Sequence, residues 1–215
     1  LSSARSELGA QESDRTEARM HASRAEACMA SHDYKGAIVS YEAAVALDVN
    51  DSALTSSYES GVETARVSLS GAMEAAHAKL VEGESAVAGK DWESGIESFN
   101  AGLSIDGLDD EDLKASLQFE LESAEASKAA RDAAREAAEA HLAEGIRRLS
   151  SGEYGEAIES LEAGLSEDAQ SDELRGRLEA SLSSARSGLG AHESNVLSKD
   201  DDFVVKFGAG ELGLD

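Results

Sequence analysis

The chain has no proline, one cysteine and few aromatic residues, which make up 4% of its 215 residues. Each shortage excludes something. Sandwiches and barrels draw on turn prolines and on aromatic and β-branched strand residues, whereas the apolar content here is mostly Ala and Leu, so the expected fold is all-α. Cys28 alone can form neither an intrachain disulfide nor a cysteine-rich metal site. Cations are also scarce: 19 Lys and Arg stand against 44 Asp and Glu, a net charge of −25. That balance speaks against nucleic acid and anionic membranes as partners. There is no run of eighteen apolar residues for a membrane span, and Leu1 opens no basic-then-apolar leader. With a lone cysteine, these absences tilt the expected setting toward the cell interior.

What is present is repetition. Tyr34, Trp92 and Tyr154 each follow an acidic residue, Asp33, Asp91 or Glu153. Each is followed at plus three by Ala37, Gly95 or Ala157 and at plus four by Ile38, Ile96 or Ile158. Tyr41, Phe99 or Leu161 follows at plus seven, a small residue at plus ten (Ala44, Gly102, Gly164) and an aliphatic one at plus eleven. These spacings share one face of a helix, predicting helices near 34–48, 92–106 and 154–168. A small residue nine positions before each anchor (Ala25, Gly83, Gly145) lies in a preceding Ala/Glu-rich helix. Asp51-Ser52, Asp109-Asp110 and Ser171-Asp172 supply cap chemistry for a third helix. No breaker follows it, so long helices shared between repeats are expected across 52–89 and 112–150. Ile38, Ile96, Ile158, Tyr41, Phe99 and Leu161 are the expected core.

Residues 1–13 (LSSARSELGAQES) recur at 182–194 (LSSARSGLGAHES), differing only at Glu7 against Gly188 and Gln11 against His192. The expected division is therefore the end of a preceding repeat at 1–13, repeats at 14–73, 74–135 and 136–191, and a linker at 192–202. On this reading the sequence is an excerpt of a longer polypeptide. Over 203–215, Phe203, Val205 and Phe207 alternate as in a strand before a glycine-rich exit.

The anchor pattern resembles the tetratricopeptide repeat: a small residue, nine residues on Tyr or Trp, then Ala, Ile, an aromatic or Leu, a small residue and an aliphatic one. The departures are polar residues early in the first helix (His21, Lys79, His141), Val49, Gly107 and Ala169 where the family ends on Pro, and a period near sixty. With its third helix the unit is also similar to the microtubule-interacting-and-trafficking domain. The resemblance implies an α-solenoid of three helix triplets with shared long helices, followed by a short β segment. The tail FVVKFGAGELGLD resembles the first strand and carboxylate-binding loop of a PDZ domain, which implies a peptide-binding role for Leu212, Gly213 and Leu214.

No catalytic constellation is evident. His21, His32, His77, His141 and His192 form no H-x-x-x-H pair and are read as solvated, with no metal expected. Asp48 to Glu59 nearly follows a calcium-loop frame, but Ala53 stands at the turn position that needs Gly, as Glu173 does in the frame from Asp168. Helix capping explains both. Cys28 at an Ala-like position is read as a small packing residue, and Asn50-Asp51-Ser52 as a chance sequon. No serine-nucleophile elbow or phosphate loop occurs, and the G-x-G-x-x-G spacing of Gly208, Gly210 and Gly213 is not read as a dinucleotide site, so no cofactor is expected. The functional expectation is a non-enzymatic protein–protein interaction scaffold. The alternative is a structural subunit of a filament or other large assembly, in which the repeats self-associate. Partners are expected to be basic or amphipathic peptides or protein surfaces, because an acidic surface attracts them.

Overall fold

The computed structural model describes residues 2–47, 49, 51–167 and 170–208, with side chains described over 9–47, 49, 51–167 and 170–194. The described chain is all-α: α1 (Ser2–Ala30), α2 (Tyr34–Ala46), α3 (Ser52–Ala88), α4 (Trp92–Leu103), α5 (Glu111–Ser150), α6 (Tyr154–Ser166) and α7 (Asp172–Gly208). The two expected shared helices, α3 and α5, form without a break, as a sequence lacking proline favours.

The links before α2, α4 and α6 share one construction. Asp33 N–H donates to Cys28 O at 2.9 Å while His32 N–H donates to Met29 O at 3.1 Å; Asp91 and Lys90, then Glu153 and Gly152, repeat the pair. This crossed pair closes a helix C-terminus and needs a left-handed residue, here His32 (φ 60°), Lys90 (φ 63°) and Gly152 (φ 79°). The next residue then caps the following helix. The Asp33 carboxylate accepts from Gly36 N–H at 2.9 Å and that of Asp91 from Ser94 N–H at 3.1 Å. Glu153 makes no such side-chain bond, its extra methylene carrying the carboxylate past the amides. Asp51, Asp110 and Ser171 cap α3, α5 and α7 by accepting from Leu54, Leu113 and Leu174 N–H.

The chain divides into two compact units, residues 1–126 and 127–215. The first contains two cores. One joins Ala18 and Ala22 of α1, Ala44 of α2 and Tyr58 of α3, with Val49 between the last two helices. The other joins Ala76 of α3, Phe99 of α4 and Leu113, Leu117 and Leu121 of α5. In the second unit Ala138 and Leu142 of α5, Ala157 and Leu161 of α6 and Leu174, Leu178 and Leu182 of α7 form a third core of the same plan.

The packing differs from expectation in which residues go deepest. Phe99 and Leu161 are fully buried. Tyr41, Ile38, Ile96 and Ile158 are only half-buried. The small positions are buried along with Phe99 and Leu161: Ala37, Gly95 and Ala157, then Ala44, Gly102 and Gly164. They let the helices approach closely, and the isoleucines, one residue further on, turn toward the rim of each interface. Phe99 lies over Gly83, where a Cβ would come 2.3 Å from its Cε1, and Leu161 lies over Gly145 in the same way. In the first repeat Ala25 fills that socket, and Tyr41 rests instead on Gly61 of α3. Burial, and secondarily the charge of Glu26, raises the Tyr41 phenol above its ordinary range.

The strand expected over 203–207 does not form, because α7 continues to Gly208 and takes in the expected linker 192–202 as well. A strand without a neighbour would leave its ladder groups unpaired. Leu212, Gly213 and Leu214 lie outside the described residues.

Candidate interaction surfaces

The anchor rings lie at helix starts and are half-buried. Tyr34 meets His32 edge to face, with centroids 6.0 Å apart. It also covers Gly107 in the α4–α5 loop, where a Cβ would come 2.2 Å from its Cε2. Beside it Lys35 Nζ donates to Asp109 O at 2.5 Å and pairs with the Asp109 carboxylate at 3.1 Å. The turn that opens α2 is thus docked onto the loop that opens α5. Gly107 (φ 75°) permits this by its conformation and by its lack of a side chain. Sequence reasoning missed this joint, and its signal was a glycine where the repeat family ends on proline. The Trp92 indole N–H is buried without a hydrogen-bond partner among the described residues.

Tyr154 rests on α7. A Cβ on Gly188 would come 2.3 Å from Tyr154 Cε1, and the His192 ring centroid is 6.3 Å away. Gly188 and His192 are also the two positions at which 182–194 departs from its near-copy at 1–13. The duplicate has diverged only where Tyr154 touches it.

The groove between α1 and α2 is lined by His21, Arg24, Cys28, Lys35 and Val39. Burial, followed by the hydrogen bond and charge of Asp33, raises the Cys28 thiol above its ordinary range despite Arg24. It is therefore protonated at neutral pH and not an activated nucleophile. The calcium-loop reading does not survive the geometry. α3 begins at Ser52, so positions five to twelve of that frame are already helix. Asp51 spends its carboxylate on Leu54 N–H and on Arg15 at 2.5 Å, both of which hold it below the usual carboxylate range. Among the described residues no group of three His, Cys, Asp or Glu could hold a metal ion, and no helix is long and apolar enough to cross a membrane.

Ion pairs decorate the outer faces. Glu144 accepts from Arg147 at 2.8 Å and from Arg148 at 2.6 Å, which lowers its carboxyl to about 2. Asp132 is lowered by Arg131 and Lys128. Several large apolar side chains stay in solvent, among them Val39, Val67, Val81 and Phe119, the last 68% exposed. No family model, no curated protein and no solved structure matches this chain.

Proposed function

We propose that the chain is a non-enzymatic protein–protein interaction scaffold, an α-solenoid of tetratricopeptide-like helix triplets. The observation that supports this reading is the thrice-repeated core, sealed by small-residue sockets, beside large apolar side chains left on outer helix faces. Stacked repeats of this kind offer long surfaces to partners. With a net charge of −25, the partner is a basic or amphipathic peptide or protein surface, and neither nucleic acid nor an anionic membrane.

The second reading, a structural subunit of a filament or large assembly, draws on the Ala-rich stretch 129–140 of α5, which would let another helix approach closely. Strong charge of one sign opposes that self-association. Sedimentation over a hundredfold range of concentration at moderate salt separates the two. A scaffold stays monomeric throughout, and progressive association would favour the assembly subunit.

A further inference from the structure

Phe119 is the most exposed large apolar residue among those described. The corresponding positions of the other two repeats are Ser60 and Ala180, so the triplet folds without a ring there. Beside it, α3 and α5 form a groove of about 410 Å³ lined by Leu80, Glu84, Ala115, Ser116, Phe119 and Glu120. Leu80 is half-buried against the core containing Phe99, so the groove has an apolar floor continuous with that core.

Its charge is unopposed. Nearby cations are already used, Lys79 on Glu82 at 2.6 Å and Lys114 on Glu111 at 3.0 Å. Among the described residues neither Glu84 nor Glu120 has an ion-pair partner. One wall from each helix thus presents a carboxylate beside an uncovered ring.

We propose that this groove is the docking site for a basic amphipathic peptide, which seats one large apolar side chain on Phe119 and Leu80 and places Lys or Arg against Glu84 and Glu120. The proposal rests on the scaffold reading and gives it a place. The apolar contact would supply the affinity and the two carboxylates the choice of partner. An acidic peptide is excluded by the same carboxylates.

The test is selection from a random twelve-residue peptide display library on the whole chain, followed by binding measurements with one enriched peptide. The expected winners carry an aromatic or Leu flanked by Lys or Arg. Their affinity falls at least tenfold for Phe119→Ser and again for the paired variant E84Q/E120Q, while Val39→Ser in the α1–α2 groove leaves it unchanged. Circular dichroism melts of the exposed-residue variants should match the parent, so the loss reads binding. Enriched peptides that bind Phe119→Ser as well as the parent would overturn this site and leave the scaffold reading standing. Selection of no peptide at all would overturn the site and count against the scaffold too. If Phe119→Ser instead abolished a self-association of the parent, the groove would be an interface between copies and the peptide proposal would fall.

Discussion

Phe99 occupies the space that a side chain on Gly83 would need: a Cβ there would come 2.3 Å from Phe99 Cε1 and 2.7 Å from its Cζ. Phe99 is fully buried, so the ring has nowhere to move without disturbing Leu117 and Leu121 around it. Gly83→Ala should therefore destabilise the first unit, the overpacking cost of about 1–3 kcal/mol exceeding the roughly 1 kcal/mol that Ala gains over Gly in a helix. Gly71→Ala on the same helix has nothing within 4 Å of its new methyl and should be stabilising. Urea midpoints moving in opposite directions would bear this out; a rise in both would refute the socket.

The same logic applies to Tyr154. Gly188→Glu makes the second copy of the duplicated segment resemble the first at that position and forces the ring off α7. We expect a loss of about 1–3 kcal/mol in the second unit. Combining it with Tyr154→Ala should cost less than the sum of the two single changes, since the clash disappears with the ring. Additive losses would mean that the divergence at Gly188 has nothing to do with Tyr154.

Lys90 carries φ 63° at a position where the third repeat has Gly152. A non-glycine residue in that region costs about 1–2 kcal/mol, part of which glycine returns as greater freedom of the unfolded chain. Lys90→Gly should gain about 0.5–1 kcal/mol and Gly152→Lys should lose a similar amount, read from thermal or urea unfolding. A loss on Lys90→Gly would contradict the shared turn geometry.

Glu144 has its carboxyl lowered from near 4.5 to about 2 by Arg147 and Arg148. A depressed folded-state value means that the contribution is complete above the unfolded value and lost as pH falls toward 2. Titration of the Glu144 side-chain carboxyl signal by NMR should give a midpoint near 2, and Glu144→Gln should flatten the acid limb of the stability curve below pH 4.5. A midpoint near 4.5 would show that the arginines do not hold it in solution.

Helix positions were legible because several signals agreed at each boundary. Asp33 and Asp91 before the anchors, Asp51, Asp110 and Ser171 before the third helices, and the absence of proline all point the same way. The depth of each apolar residue was less legible. Periodicity shows that Ile38, Ile96 and Ile158 share a face with the small residues, but which member goes deepest depends on how closely the next helix approaches, and that is set by Gly83 and Gly145 on another helix. The docking of Tyr34 on Gly107 joins positions far apart in sequence and left only an unusual glycine as its trace. The strand expected at 203–207 failed for a local reason: five residues satisfy both periods, and among the described residues no partner strand decides between them.

The central claim, that this acidic chain recognises basic amphipathic protein segments, is tested most directly by the salt dependence of binding. A twenty-residue Lys/Leu helical peptide and its Glu/Leu twin would be titrated against the whole chain calorimetrically at 50 and 300 mM salt. The account predicts measurable binding of the Lys/Leu peptide that weakens severalfold at the higher salt, and none of the Glu/Leu twin. Affinity indifferent to salt, or equal binding of the two peptides, would contradict it.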